Sequence, residues 1–243
     1  MRSVRWANEE SRAIMATIKD KLQETTQRIA TACSKAGRAV DSVTLLAVTK
    51  TFSATVVREA HAAGLHRFGE NYVQEGLDKI ATLADLRAGL EWHLIGPLQS
   101  NKTRPVAENF DWVHSVDRLK IAQRLSEQRP AHLPPLNVCL QINISGEASK
   151  SGLAPDEAAE LARAVAALPR LALRGLMAVP EPAADFEAQR APHRALAQLF
   201  ERLREQEGLA LDTLSMGMSA DLEAAITEGA TLVRVGSALF GAR

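Results

Sequence analysis

The sequence predicts an α/β fold: a single (β/α)₈ barrel over residues 1–243 with an additional long N-terminal helix. Three observations predict it. Short β-rich runs alternate with helical segments, the pattern of parallel strands joined by crossover helices. Eight candidate strands fill the chain, which favours a closed barrel over an open doubly wound sheet. The length of 243 residues, with 46% hydrophobic, suits a barrel and its core in one domain.

The first element is a helix over about 8–35, where Ile14, Ile18, Leu22, Ile29 and Ala32 recur at helical spacing. The candidate strands follow at 43–49, 67–69, 92–95, 112–115, 138–142, 173–178, 213–216 and 232–235. Between them the periodicity predicts helices at 53–63, 73–83, 101–109, 119–128, 155–167, 186–207 and 220–228. No repeat, low-complexity tract or interdomain linker interrupts this alternation.

Composition narrows the function classes. The 29 basic and 29 acidic residues cancel, so no overall electrostatic footprint for nucleic acid or an anionic membrane is expected. Cys33 and Cys139 are far apart and lack metal-ligand neighbours, which argues against a disulfide framework and for a reducing compartment. The start of the chain turns acidic at Glu9-Glu10, where a signal peptide needs an apolar segment. No apolar stretch reaches transmembrane length. The expectation is a soluble cytoplasmic protein.

Lys50 ends the first strand. Strand periodicity puts Leu46, Val48 and Lys50 on one face, so a barrel would bring Lys50 to the end where barrel active sites lie. A desolvated lysine there becomes neutral by forming a Schiff base with an aldehyde. From the strand alone, a lysine snorkelling into water is the commoner outcome.

The C-terminal region adds a phosphate cradle. Leu214-Ser215-Met216-Gly217-Met218-Ser219 follows strand seven and leads into a helix, with Ser219 the expected N-cap and Asp221 and Glu223 suited to its first turn. Gly217 would let a phosphate approach the backbone. Val233-Arg234-Val235-Gly236-Ser237 forms a second small-residue turn after strand eight. Barrel phosphate sites are often built from these two loops, although ordinary turn and capping chemistry reads equally well. Closure brings strand eight beside strand one, and Arg234 towards Lys50. An interior arginine needs a partner, either a carboxylate on another strand or the pyridine nitrogen of pyridoxal 5′-phosphate (PLP).

These residues resemble the PLP homeostasis protein family, related to the N-terminal domain of alanine racemase. The resemblance runs through Leu46-Ala47-Val48-Thr49-Lys50, Phe68-Gly69-Glu70-Asn71-Tyr72-Val73-Gln74-Glu75 and Trp92-His93-Leu94-Ile95-Gly96-Pro97-Leu98-Gln99-Ser100-Asn101-Lys102. It continues in Val113-His114-Ser115-Val116-Asp117, Gln141-Ile142-Asn143, Lys150-Ser151-Gly152 and Arg174-Gly175-Leu176-Met177. Ser215-Met216-Gly217-Met218-Ser219-Ala220-Asp221, Val233-Arg234-Val235-Gly236-Ser237 and Phe240-Gly241-Ala242-Arg243 complete it. The resemblance implies PLP as cofactor, with Lys50 carrying it and Arg234 facing the pyridine nitrogen. It implies that Ser215, Ser219, Gly236 and Ser237 fall on phosphate-binding segments, with Asn71 near the ring and Met218 beside the phosphate loop. The chain stops at Arg243, where many relatives continue for a few residues.

Two functions compete on these expectations. One is a PLP carrier acting in vitamin B6 homeostasis, with transient delivery to apo-enzymes. The other is an amino-acid racemase, which needs an acid/base group on each face of the substrate carbanion. Lys50 serves one face, but the opposing tyrosine of racemases comes from a second domain that is not expected here. Tyr72 is this chain's one tyrosine, and its position gives no such geometry. An arginine at the ring nitrogen weakens the ring as an electron sink, although racemases of this fold use it too, and with no second domain expected, binding without a dedicated catalytic activity is favoured. A barrel holding some other phosphate metabolite is a third reading. His93 and His114 are expected near the barrel mouth in packing or hydrogen bonding, without a metal. Lys102 and Lys120 are expected on exposed helices, and Glu70 and Glu75 as braces of the second helix, with no catalytic role. A monomer is expected, with the long N-terminal helix free to cover the barrel or to mediate a contact.

Overall fold

A computed structural model describes residues 2–146 and 151–241, with side chains described from Thr17 onward. The expected alternation is present. After α1 (Arg2–Lys35) come β1 (Thr44–Val48), α2 (Ala54–Ala62), β2 (Arg67–Glu70), α3 (Val73–Thr82) and β3 (Glu91–Leu94). The middle of the chain forms α4 (Thr103–Asn109), β4 (Trp112–Val116), α5 (Leu119–Gln128), β5 (Leu136–Gln141), α6 (Ala158–Ala166) and β6 (Leu171–Met177). It ends with α7 (Phe186–Glu207), β7 (Thr213–Met218), α8 (Leu222–Thr227), β8 (Leu232–Val235) and the short α9 (Ser237–Phe240).

The eight described strands pair in parallel and in chain order, and β8 pairs with β1 to close the barrel. Strand parity divides the side chains into two layers. Ala47, Phe68, Trp92, Leu94, Val113, Val138, Leu140, Val233 and Val235 are buried in the main apolar core between strands and helices. Their neighbours turn inward. His93, His114, Ser215 and Arg234 from β3, β4, β7 and β8 hydrogen-bond to one another across the interior. A small separate cluster of Trp112, Cys139 and Met177 fills another part of it. At the seam Leu46 is level with Arg234 and Ala47 with Val235.

Helix α1 follows its predicted stripe, with Ile18, Ile29, Ala32 and Cys33 buried. It packs over α2, α8 and α9, the helices flanking the β8–β1 seam. Its backbone begins at Arg2, ahead of the expected residue 8. Two other predicted helices divide. Residues Ser100–Lys102 form a 3₁₀ turn before α4, and Pro155–Glu157 does so before α6. Pro155 is suited to such a first turn, where its missing N–H leaves no bond unmade. The helix expected at 220–228 begins only at Leu222, because Asp221 rather than Ser219 takes the N-cap position.

Candidate functional site

Lys50 follows β1 at the C-terminal mouth of the barrel and is half-buried. The backbone on both sides of it is held by charged side chains, buried on the Thr49 side. Lys79 of α3, 4% exposed, donates through Nζ to Thr49 O at 2.6 Å, Glu70 Oε1 at 2.7 Å and Glu75 Oε1 at 2.7 Å. The Thr49 hydroxyl donates to Glu70 Oε1 at 2.6 Å, and the Thr51 N–H donates to Glu75 Oε1. Thr51 has a φ of 65°, a left-handed conformation uncommon for a β-branched residue. The clamp fixes that turn, and with it the direction in which Lys50 leaves the strand. Burial raises the Glu70 carboxyl above its ordinary value, and the Lys79 ammonium opposes that shift. Glu70 and Glu75 thus brace α3, as expected, but they also grip the residues flanking Lys50. The Glu75–Lys79 spacing of four residues was the sequence signal for part of this network.

Arg234 is 3% exposed inside the barrel. Its Nη1 donates to Ser215 O at 2.6 Å and Ser215 Oγ at 2.8 Å, and its Nη2 donates to Ala178 O at 2.8 Å. No carboxylate pairs with it among the described residues, so its acceptors are carbonyls and one hydroxyl. Burial lowers its pKa to about 10, against the pull of Asp221, and it remains a cation and donor at neutral pH. The Ser215 hydroxyl, on a phosphate-binding segment by the resemblance, is committed to Arg234 and to His114 Nδ1 at 2.8 Å.

The loops after β7 and β8 lie against each other. Ser219 Oγ accepts from the Ala238 N–H at 3.4 Å, linking the two turns. Gly217 has a φ of 89°, and a Cβ there would lie 2.5 Å from Ala225 Cβ. At Gly236 a Cβ would approach Val48 O, on the strand that leads to Lys50, to 3.3 Å. Asp221 holds the first turn: Oδ1 accepts from the Met218 N–H at 2.6 Å and Oδ2 from His193 Nε2 at 3.0 Å. Burial would raise the Asp221 carboxyl, but these hydrogen bonds and nearby Arg234 outweigh it and hold it below its ordinary value. Arg28 of α1 reaches the same turn, donating to Ser219 O at 3.0 Å and pairing with Glu223 at 2.8 Å. Met218 and Ser219 are half-buried and Ser237 is exposed.

Asn71 follows β2 at the same mouth and is half-buried. Gly96, after β3, lets it lie there: a Cβ on Gly96 would sit 2.1 Å from Asn71 O. Gly96, Lys79, His193 and Arg28 are site-supporting residues that sequence reasoning missed. His93 and His114 do meet, with Nδ1 of His93 2.9 Å from Nε2 of His114, but buried inside the barrel, His93 towards its N-terminal end and away from Lys50. Lys102 and Lys120 are exposed on the outside of the barrel. Among the described residues no group of three or more His, Cys, Asp or Glu side chains is arranged to hold a metal. No helix among them is long and apolar enough to cross a membrane.

Lys50 and the turns after β7 and β8 thus lie at one end of the barrel, with Arg234 buried inside it level with Leu46, and the whole chain is similar to known proteins. A family model for the alanine racemase N-terminal domain matches residues 20–243. The pyridoxal phosphate homeostasis protein of Pseudomonas aeruginosa is 66% identical over 229 residues, covering 94% of this chain and 97% of that protein. Its namesake in Escherichia coli K12 is 55% identical over 230 residues, covering 94% and 98%. Among solved structures, PipY of Synechococcus elongatus with PLP bound is 38% identical with a TM-score of 0.77, covering 89% of this chain and 99% of that one. With a relative at that identity over nearly its full length, this chain belongs to the pyridoxal phosphate homeostasis protein family, within the alanine racemase N-terminal domain family.

Proposed function

We propose that this chain holds PLP on Lys50 as a Schiff base and acts in vitamin B6 homeostasis, as a cytoplasmic monomer able to pass PLP to apo-enzymes. The observation that carries the reading is the pairing of β1 with β8, which puts Arg234 level with Leu46 on the strand that leads to Lys50. The PLP-bound relative supports the choice of ligand.

The residues present fit the group. PLP supplies an electrophilic aldehyde carbon and a ring able to accept electrons from an attached amine. Lys50 contributes the amine, aimed by the clamp on Thr49 and Thr51. Gly217 near the end of β7 and Gly236 after β8 let the backbone pack closely against Ala225 and Val48, and Met218, Ser219 and Ser237 border the two turns that would hold the phosphate. Asn71 borders the ring. Arg234, held by Ser215 and Ala178, would donate to the ring nitrogen, which would then carry no proton of its own. A ring in that state is a weak electron sink, which suits storage of the aldehyde better than dedicated catalysis.

The test is an absorption spectrum of the purified protein with added PLP, then borohydride reduction and peptide mass mapping, with Lys50→Ala in parallel. A visible band in the wild type and a pyridoxyl adduct on Lys50 are expected, and neither in the variant. Absence of both in the wild type leaves a barrel for another phosphate ligand. An adduct on a different lysine moves the site.

A further inference from the structure

The polar groups inside the barrel form one continuous line. It runs from Arg234 to Ser215 Oγ, from Ser215 Oγ to His114 Nδ1, from His114 Nε2 to His93 Nδ1, and from His93 Nε2 to Glu91 Oε1. The heavy-atom separations are 2.8, 2.8, 2.9 and 2.8 Å. His93, His114, Ser215 and Arg234 are all buried, whereas Glu91 stands half-exposed. Glu91 and His93 border a cleft of about 410 Å³ at the N-terminal mouth, opposite Lys50.

The direction of every bond follows from the two ends. A guanidinium only donates, so the Ser215 oxygen accepts from Arg234 and its hydrogen goes to His114 Nδ1. His114 then carries its proton on Nε2 and donates to His93 Nδ1. His93 likewise carries its proton on Nε2 and donates to the Glu91 carboxylate. Both rings are satisfied while neutral, and burial accordingly lowers the basicity of each. Each O–H and N–H dipole points its negative end at Arg234. Hydrogen bonds aligned in this way reinforce one another in a low-dielectric interior. A cation without a hydrogen-bonded carboxylate is thereby given an oriented counter-field, backed by a carboxylate at the far mouth. His93 is further fixed by stacking on Trp112 at 5.3 Å, and Arg67 pairs with Glu91 at 3.2 Å.

We propose that Glu91, His93 and His114, acting through Ser215, are positioning residues that hold the Arg234 guanidinium in place for the pyridine nitrogen of PLP. The proposal rests on the PLP reading above and adds that ring recognition depends on groups from the opposite end of the barrel.

Two measurements test it. Nitrogen-15 NMR of the imidazole rings in the protein without ligand is expected to find His93 and His114 neutral at roughly pH 7.5, both as the Nε2–H tautomer. An imidazolium or an Nδ1–H tautomer on either ring overturns the chain. PLP is then titrated into the wild type, His93→Phe, His114→Phe and Glu91→Gln, with inorganic phosphate as a competitor that lacks the ring. The histidine variants are expected to weaken PLP about tenfold, as loss of a buried hydrogen bond does. Glu91→Gln is expected to weaken it roughly two- to threefold, since only the far charge is lost. Phosphate competition is expected to stay the same, a separation that general loosening of the fold would not give. Because Glu91 is half-exposed, its variant reports even if the buried substitutions fail to fold. Wild-type PLP uptake with unchanged affinity in Glu91→Gln and the folded histidine variants overturns the positioning role alone. A wild type that takes up no PLP overturns the cofactor reading, and the positioning role with it.

Discussion

At the scale of single residues, the site depends as much on what is missing as on what is present. Gly96 has no side chain because the backbone of Asn71 occupies that space, with Asn71 O 2.1 Å from where a Cβ would be. Backbone atoms cannot rotate aside, so Gly96→Ala must displace the loop after β2. Overpacking of this kind costs about 1–3 kcal/mol. The expected result is a loss of that size in urea unfolding together with weaker PLP binding, because Asn71 moves with the loop. A variant with lower stability and unaltered PLP affinity would remove Asn71 from the ring environment. Lys50 and Arg234 could be read from the sequence, because strand parity and barrel closure follow from local pattern. The grip of Lys79 on Thr49 could not. It depends on how α3 packs against a turn 30 residues earlier, which no local period encodes. Ser215 marks a similar boundary: the sequence identifies a serine on the right strand, and only three-dimensional pairing commits its hydroxyl to His114 and Arg234.

At the scale of elements, alternation predicted every strand and misjudged ends by a residue or two, since strand limits depend on neighbours. The turn between β7 and α8 is the instructive case. Sequence favours Ser219 as the cap, but Asp221 lies within reach of both the Met218 N–H and His193, and the helix begins after it. Ser219 is thereby freed to bond across to the loop after β8. Asp221→Ala strands a buried backbone donor and a buried imidazole, at about 2 kcal/mol. PLP affinity is expected to fall several-fold with it. The pH dependence follows from the lowered carboxyl, whose ordinary pKa is 3.8. A carboxylate with a depressed pKa in the folded state contributes stability above its unfolded value and loses it as pH falls through the folded value. The stability gap between wild type and Asp221→Ala should therefore be full at neutral pH and begin to close below about pH 4. Denaturant unfolding at several pH values measures it. A gap that is constant into strong acid would mean that Asp221 acts by packing alone.

At the scale of the whole molecule, closure makes the first and last strands neighbours, so the barrel has no edge from which pairing can peel away. Helix α1 lies over the helices at this seam, and its contacts divide into two kinds with different consequences. Ile29 is 4% exposed in the core, so Ile29→Ala removes apolar packing and should cost about 3 kcal/mol. It belongs to the apolar core and makes no polar contact with the turn after β7, and the folded fraction is expected to bind PLP normally. Arg28 is different. Its ion pair with Glu223 is more than a third exposed on each side, so its loss should cost under about 1 kcal/mol. Yet Arg28 also donates to Ser219 O on the turn after β7, and Arg28→Ala should loosen that turn and weaken PLP binding several-fold. Thermal melts and PLP titrations of the two variants would separate the roles. The expected pattern is stability lost with affinity kept for Ile29→Ala, and the reverse for Arg28→Ala. If Arg28→Ala keeps full affinity, α1 serves the barrel only as a cover. If it loses affinity at nearly unchanged stability, the helix that begins the chain is part of the binding site at the other end of it.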